Sequence, residues 1–339
     1  MSIQPIQADL PIRQLSVFRA EDFRVVHGVN EGDPLADASE LLHEDVYALD
    51  EAARPLRLGL STDSGRDFRV AADSAIGQPD APVHLDSLLT FMGPAGETRE
   101  ALVFVEVDPG SETIAQIYLL PLAPLSPRTG YTLVTVERET ARARFAATAT
   151  VAFTRGTHIT MADGRQMPIE DIRPGDKVLT RDSGPQAVRW TGEQTLRATG
   201  AFAPITIAPG TLNNTGKLVV SPNHRLFIYQ RVDAFGAGRK EVLVKAGLLV
   251  NGTSVTQEPG GFVDYFQILF DKHEIIYAEG IAAESLFVDT TTRPVLPVEV
   301  AHRLKDAPGA HRLHGHELGE AELARGKNPV DILKRISAL

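Results

Sequence analysis

The sequence predicts a mainly β protein with two β-rich domains. Between Arg54 and Glu139, short runs of branched and aromatic residues alternate with clusters of Gly, Pro, Asp and Ser, a pattern typical of strands and turns. The runs are LRLGL, FRV, ALVFVEV, IAQIYLLPL and YTLVTVER. Farther along, two β-type runs flank a tight Ala162-Asp163-Gly164 turn. The first region predicts a small sandwich or barrel, and the second begins another all-β domain.

Length and composition allow two soluble domains. The chain has 339 residues, of which 43% are hydrophobic and 23% are charged. We find no apolar run near the ~18 residues that a membrane span requires. The N-terminus, MSIQPIQADLPIRQ, lacks the basic and apolar regions of a signal peptide. We therefore expect a cytoplasmic protein without a membrane span, and leaderless secretion remains an alternative.

Charge and cysteine content exclude several function classes. Residues 1–150 carry 12 basic and 23 acidic residues, whereas residues 151–339 carry 22 basic and 21 acidic residues. An acidic first half and a nearly neutral second half predict no nucleic-acid binding. The absence of cysteine excludes disulfides, cysteine-ligated metals and a thiol nucleophile. We expect no cofactor and no metal, whereas an unknown protein partner is possible.

The segment from Thr150 to Thr180 carries an ordered set of residues over about thirty positions. The matching positions are Phe153, Gly156, Thr157, Ile159, Ile169, Glu170, Ile172, Gly175, Asp176 and Val178. This set resembles the opening block of Hint (Hedgehog/intein) self-processing domains, in the form found in bacterial stand-alone Hint proteins. The resemblance implies an all-β, horseshoe-like disc. The nucleophilic cysteine of the family corresponds to Ala152, and the scissile bond would join the Val151 carbonyl to Ala152.

A second block, from Leu218 to Ile228, contains Ser221-Pro222-Asn223-His224 and resembles the T-x-x-H block of the same family. Breaking an amide requires a proton on the departing nitrogen, and an imidazole can supply it near neutral pH. The resemblance therefore implies that His224 is the proton donor and that Ser221 replaces the usual threonine, which hydrogen-bonds the scissile peptide. We expect Ala152 to lie close to His224.

The third block, from Asp264 to Phe287, resembles the late block of these domains. Glu284-Ser285 stands where inteins have a His-Asn pair, and neither side chain can form a succinimide, so we expect no C-terminal cleavage. Asp271 or His273 could orient or activate a second nucleophile, as an aspartate does in Hedgehog-type domains. Alternatively, these two residues form a turn between strands at the surface.

These observations divide the chain into three parts. We expect an acidic β-rich domain of unknown function at 1–145, a Hint-type domain at 146–290, and a C-terminal extension with a short helix at 291–339. Local spacing predicts a short helix from Ala36 to Leu49, a linker or entry strand over residues 140–150, and a helical stretch from Ala321 to Ala338. For His302, His311, His314 and His316, a solvated tail is favoured over a metal site.

Three functions remain open. Alanine offers only a methyl group, so the family's N-to-S acyl shift cannot start at Ala152, and in this form we expect a non-catalytic scaffold or interaction module rather than an enzyme. The alternative is an active autoprocessing protein, cleaving before residue 152, in which alanine was substituted for cysteine to trap the precursor. A third possibility is an independent enzyme or binding domain at residues 1–150, but no paired carboxylates, Gly-rich phosphate loop or Ser/His/Asp set supports it.

Overall fold

The computed structural model of this chain contains two compact units, Met1–Phe145 and Ala146–Leu339. Both are built mainly of strands, which confirms the predicted fold class. Within the described residues, no helix is long and apolar enough to cross a membrane. The residues that the structure describes are 12–62, 68–149, 152–229, 233, 235–236, 238, 240–288, 296, 316–318, 323 and 329–337.

The first unit is an antiparallel sheet that closes on itself. Its strand order is β2-β3-β9-β6-β5-β4-β1-β8-β7, and β6 also pairs with β7, so that six of the strands form a ring. A 3-10 helix at Ala20–Asp22 joins β1 to β2. The strands are β1 (Ile12–Arg19), β2 (Phe23–His27), β3 (Val46–Leu49), β4 (Leu56–Thr62), β5 (Phe68–Val70), β6 (Pro82–Met92), β7 (Thr98–Val107), β8 (Ile114–Pro121) and β9 (Tyr131–Glu137).

The long strand β6 makes this closure possible. Its first residues pair with β5 and its last residues pair with β9, while β7 runs along its other edge. The register shifts between Leu85 and Ser87 and again between Thr90 and Phe91. Such irregularities bend a strand and increase its twist, so one strand can serve two sheet regions.

The five strand-like runs predicted in this unit are confirmed as parts of β4, β5, β7, β8 and β9. The predicted helix from Ala36 to Leu49 was wrong, because residues 36–45 form turns joined by irregular segments and the rest is β3. Val46 pairs with Thr132 of β9, and the Leu133 amide donates to the Asp45 carbonyl at 2.9 Å. Pairing with a distant strand thus overrides the local helical spacing.

The linker or entry strand predicted at residues 140–150 was also wrong. Helix α1 (Ala141–Ala149) occupies this stretch, which has the sequence ARARFAATA. Alanine and arginine are both strong helix formers, and five of the nine helical residues are alanine. Residues 150–151 lie outside the described part of the chain. The chain therefore reaches residue 152 shortly after a helix rather than from an extended linker.

The second unit contains two sheets. The first has the order β15-β21-β10-β17-β16-β20, and the second has the order β12-β11-β22-β23-β18-β19-β24, with β13 pairing with β22 and β14. The strands are β10 (Phe153–Thr154), β11 (His158–Thr160), β12 (Gln166–Pro168), β13 (Lys177–Thr180), β14 (Gly184–Ala187), β15 (Trp190–Arg197), β16 (Ile205–Ile207), β17 (Leu218–Val220), β18 (Arg225–Tyr229), β19 (Glu241–Lys245), β20 (Val255–Gln257), β21 (Phe262–Leu269), β22 (Ile275–Ala278), β23 (Ile281–Glu284) and β24 (His316–Glu317). Its 3-10 helices are Ile169–Asp171, Gly200–Phe202 and Ala246–Leu249.

One hydrophobic cluster joins the two sheets of this unit. It includes Phe153, Val220 and Phe266 from the first sheet and Leu226 and Ile276 from the second. Each of these side chains is buried. The cluster fixes β10 and β17 next to each other, and these two strands lead into the candidate site.

The C-terminal residues that the structure describes pack into this same cluster. Leu318, Leu323, Val330 and Leu333 are all buried in the cluster that contains Phe153. Helix α2 (Pro329–Ser337) lies within the helical stretch predicted from Ala321 to Ala338. His302, His311 and His314 lie outside the described residues, whereas the backbone of His316 begins strand β24, so the chain at that position is part of a sheet rather than a tail.

Candidate functional site

Ala152 immediately precedes β10, the central short strand of the first sheet of the second unit. Phe153 of β10 pairs with Val220 of β17 on one side and with Phe266 of β21 on the other. Ser221 directly follows β17, so this pairing brings Ala152 beside the Ser221-to-His224 turn. Ala152 itself is buried.

Both backbone polar atoms of Ala152 are bound by this turn. The Ala152 amide donates to the Ser221 hydroxyl oxygen at 3.2 Å, and the Ser221 amide donates to the Ala152 carbonyl at 2.9 Å. His224 Nδ1 lies 3.1 Å from the same carbonyl oxygen. A carbonyl oxygen can only accept, so Nδ1 carries the proton in this contact. The structure thus brings Ala152, Ser221 and His224 together, as the sequence predicts.

The His224 ring is completely buried, and it packs against Phe153 with ring centroids 4.3 Å apart. Its backbone amide donates to the Ser221 carbonyl at 3.0 Å, which closes the turn. No hydrogen-bond partner for Nε2 is present among the described residues. Burial lowers the pKa of His224 from 6.5 to about 4, although the negative charge of Glu284 opposes this effect. At neutral pH the ring is therefore uncharged.

This pKa predicts a pH-dependent stability. Between pH 6.5 and about 4, the unfolded chain binds a proton at His224 that the folded chain does not bind. The free energy of unfolding should therefore fall as the pH falls through this window, by at most about 1.4 kcal/mol per pH unit and about 3 kcal/mol in total. Urea unfolding across the window measures the slope. His224→Gln should flatten it, and an unchanged slope in that variant would contradict the assignment.

Asn223 is a site residue that the sequence did not reveal. Its side-chain amide donates to the Thr148 carbonyl near the end of α1. The turn from Ser221 to His224 therefore holds the chain at Thr148 and again at Ala152, on both sides of the peptide between Val151 and Ala152. Val151, which the sequence assigns as the scissile carbonyl, lies outside the described residues.

A small cleft lies beside Ala152. Residues lining it include Ala147, Thr148, Ala152, Gln194, Ser221 and Gln267. Phe153 pairs with Phe266 and Thr154 with Tyr265, so the next antiparallel position places Gln267 opposite Ala152. A side chain longer than alanine at position 152 would therefore extend toward this cleft. The hydroxyl of Thr154, two residues along the chain, donates to the Val219 carbonyl at 3.0 Å.

Asp271 and His273 lie in different surroundings. Asp271 is exposed, and its carboxylate pairs with Arg189 at N–O distances of 2.6 and 2.9 Å. His273 is buried, and its Nε2 lies 3.2 Å from a carboxylate oxygen of Glu284. Asp271 therefore has the surroundings of a surface turn, whereas His273 belongs to a second cluster of charged groups.

This second cluster is a buried charge network around Arg225. The Arg225 guanidinium contacts Glu284, which is fully buried, and also Glu317, at 3.1 Å. Lys245 binds the other oxygen of Glu317 at 2.9 Å. Burial alone would raise the pKa of Glu284, but the charge of Arg225 and the contact with His273 outweigh it and hold the pKa at about 2. Glu284 therefore stays ionised at neutral pH.

The described residues offer no group of three or more histidine, aspartate or glutamate side chains arranged to hold a metal ion. The chemical groups around residue 152 are the Ala152 methyl, the Ser221 hydroxyl, the Asn223 side-chain amide and the neutral His224 imidazole. This set can bind and orient a peptide, and its imidazole can hold a proton on Nδ1.

Comparison with known proteins bears on the second unit. A family model described as a Hint domain matches residues 151–290. No curated protein matches the sequence. Among solved structures, the bacterial intein-like domain from Clostridium thermocellum is similar, with 17% identity, a TM-score of 0.29, and coverage of 40% of this chain and 97% of that one.

Two inteins show comparable similarity. The gp41-1 intein has 13% identity and a TM-score of 0.25, and the match covers 39% of this chain and 97% of that one. A DnaB intein from Synechocystis sp. PCC 6803 has 13% identity and a TM-score of 0.24, covering 40% of this chain and 98% of that one. The family model therefore supports a Hint/intein-like domain at residues 151–290.

Proposed function

We propose that this Hint-like domain, of the kind found in bacterial stand-alone Hint proteins, holds its own chain in a self-processing site but does not cleave it. One observation carries the proposal: Ser221 and His224 bind both backbone polar atoms of Ala152, while the side chain at that position is a methyl group. A methyl group cannot attack the Val151 carbonyl, so no ester or thioester forms.

Ser221 is not placed to act as a substitute nucleophile. Its hydroxyl oxygen accepts from the Ala152 amide, so it lies along the N–H direction, close to the plane of the peptide. Attack on a carbonyl carbon requires an approach from above or below that plane. The Thr154 hydroxyl is two residues away and is engaged with the Val219 carbonyl. Ser221 therefore serves to hold the peptide.

His224 is likewise engaged in binding. Its Nδ1 donates to the Ala152 carbonyl, whereas the departing atom in cleavage would be the Ala152 nitrogen. Delivering a proton to that nitrogen requires Nδ1 to move from the oxygen to the nitrogen of the same residue. In the present arrangement the imidazole reinforces the hold of Ser221. The domain is then a non-catalytic scaffold or interaction module that holds the residues preceding Ala152.

The retained geometry also favours a second candidate. Ser221 and His224 surround residue 152 closely, as an active site would require, and only the nucleophile is absent. Under this alternative, the chain is an autoprocessing protein whose cysteine was replaced by alanine, which traps the precursor. Both candidates agree on the behaviour of the present sequence and differ in the history of position 152.

The purified chain should remain full length at neutral pH, even in the presence of a thiol or hydroxylamine. Neither reagent has an ester or thioester to attack while residue 152 is alanine. Intact-mass spectrometry over several days measures this directly. Spontaneous appearance of a fragment ending at Val151 in pure protein would show that another group attacks the bond, and the proposed function would then be wrong.

A further inference from the structure

Strand β24 lies far along the chain from β19 and pairs with the edge of that strand. Val242 pairs with His316 and Leu243 pairs with Glu317 in parallel register. The Leu318 amide then donates to the Leu243 carbonyl at 2.8 Å. Addition of a short extended segment to a sheet edge is the geometry by which domains bind peptides as an extra strand.

The edge of β19 also provides a pocket for one carboxylate. Arg225 of β18 and Lys245 of β19 are paired across the two strands. Each of them binds a different oxygen of Glu317, at 3.1 and 2.9 Å. Arg225 already binds the buried Glu284. Lys245 and the part of the Arg225 guanidinium that does not contact Glu284 can therefore bind one further carboxylate. The pocket therefore favours glutamate at this position of an added strand.

Apolar contacts follow directly after the carboxylate. Leu318 is fully buried beside β19, and Val330 and Leu333 of α2 are buried in the same cluster as Val242 and Val244. Asp331, on the same helix, is exposed. The segment thus combines a short extended Glu-Leu strand with one apolar helix face, as an amphipathic peptide does when it binds a groove.

We propose that the β19 edge, with Arg225 and Lys245, is a peptide-binding site for an extended Glu-Leu segment and an amphipathic helix that follows it in the chain, and that residues 316–318 and helix α2 occupy it as an intramolecular ligand. This assignment is independent of any cleavage at Ala152. It makes the C-terminal segment a separable ligand of the Hint-like domain rather than a permanent part of it.

A cut chain tests whether the segment is separable. A specific protease site introduced between residues 304 and 310 of the full chain allows the connection to be cut while every other residue is retained. After cutting, a fluorescent synthetic peptide of residues 312–339 should exchange with the bound segment, and anisotropy measures the competition. A Glu317→Ala peptide should compete at least about 30-fold less well, because Lys245 loses its carboxylate partner and Arg225 loses one of its two.

An Asp331→Ala peptide is the matched control, since it also removes one carboxylate but from an exposed helix position; it should compete within about threefold of the unmodified peptide. Equal competition by the Glu317→Ala peptide would overturn the proposal. Loss of the circular-dichroism signal when the segment leaves would also overturn it, because the segment would then be part of the core. An uncut chain that dimerises by exchanging this segment would overturn the intramolecular assignment.

Hydrogen exchange gives a second measurement on the uncut chain. Glu317→Ala should raise the exchange rate of the Leu318 amide and of the β19 amides about tenfold or more. The Ala152 and Ser221 amides should keep their protection. If exchange rises equally throughout the second unit, the substitution destabilises the whole domain, and the proposal of a local binding site is wrong.

Discussion

Replacing Ala152 with cysteine is expected to restore slow release of a fragment comprising residues 1–151. Ser221 and His224 already hold residue 152, and the cleft beside it can receive a longer side chain. Nucleophile, peptide-holding group and proton donor act as a unit, so loss of one abolishes turnover while the geometry of the others can persist.

The chemistry of the restored step is an acyl shift. The sulfur introduced by Ala152→Cys would form a bond to the Val151 carbonyl carbon, and the bond from that carbon to the residue 152 nitrogen would break. The imidazole of His224 would take up the proton that the thiol releases and would give the freed amine its Nδ1 proton, so that it ends neutral again. Added thiol or hydroxylamine would then displace the thioester. Mass spectrometry of the Ala152→Cys protein with hydroxylamine measures the fragment directly.

Two variants separate this reaction from nonspecific thiol effects. Ala201→Cys places a thiol in the lining of the same cleft without joining it to residue 152, and this variant should stay intact. Adding His224→Ala to Ala152→Cys should slow release by at least about 100-fold, the usual contribution of a positioned proton donor. If Ala152→Cys folds normally and gives no fragment with hydroxylamine, the interpretation that the site lacks only its nucleophile is wrong, and only the non-catalytic scaffold remains.

The second large effect is expected from Arg225→Met. This change leaves Glu284 without its principal cation at a fully buried position, and removing one partner of a buried ion pair costs about 3–5 kcal/mol. Thermal and urea unfolding should both report this loss in the second unit. Glu317 keeps Lys245 as a partner, so the loss arises mainly at Glu284.

The double variant Arg225→Met/Glu284→Gln should recover a substantial part of this loss, because the uncompensated charge is then removed. Arg189→Met is the matched control: it breaks the exposed pair with Asp271, and it should cost less than about 1 kcal/mol. An Arg225→Met protein that is no less stable than the Arg189→Met protein would show that the network contributes little.

Much of the fold could be predicted because its signals are local. Each run of branched and aromatic residues between turn clusters forms part or all of a strand. For example, LRLGL lies in β4 and FRV forms β5. The proximity of Ala152 and His224 was also predictable, since both lie in blocks whose resemblance fixes their relation. The predicted helix before Leu49 was wrong because Val46 pairs with Thr132 of β9, a strand far along the chain, which no local spacing indicates.

The groups missed at the candidate site share a different property. Asn223 binds a backbone carbonyl, so no partner residue type marks the contact in the sequence. Gln267 lies beside Ala152 only through the register of β10 and β21. Arg225 and Glu317 are separated by 92 positions, and in sequence each resembles an ordinary surface charge. Such contacts depend on burial and register, which a single sequence does not encode locally.

The hold on Ala152 has a consequence for binding in trans. The segment between Thr148 and Ala152 is attached to the domain that binds it, so its effective concentration at the Ser221-to-His224 turn is of the order of millimolar or higher. A free peptide with the same sequence would have to exceed that concentration to displace it. Any partner recruited by this domain should therefore bind another surface, and saturating amounts of a peptide spanning residues 144–156 should leave the turn occupied by its own chain.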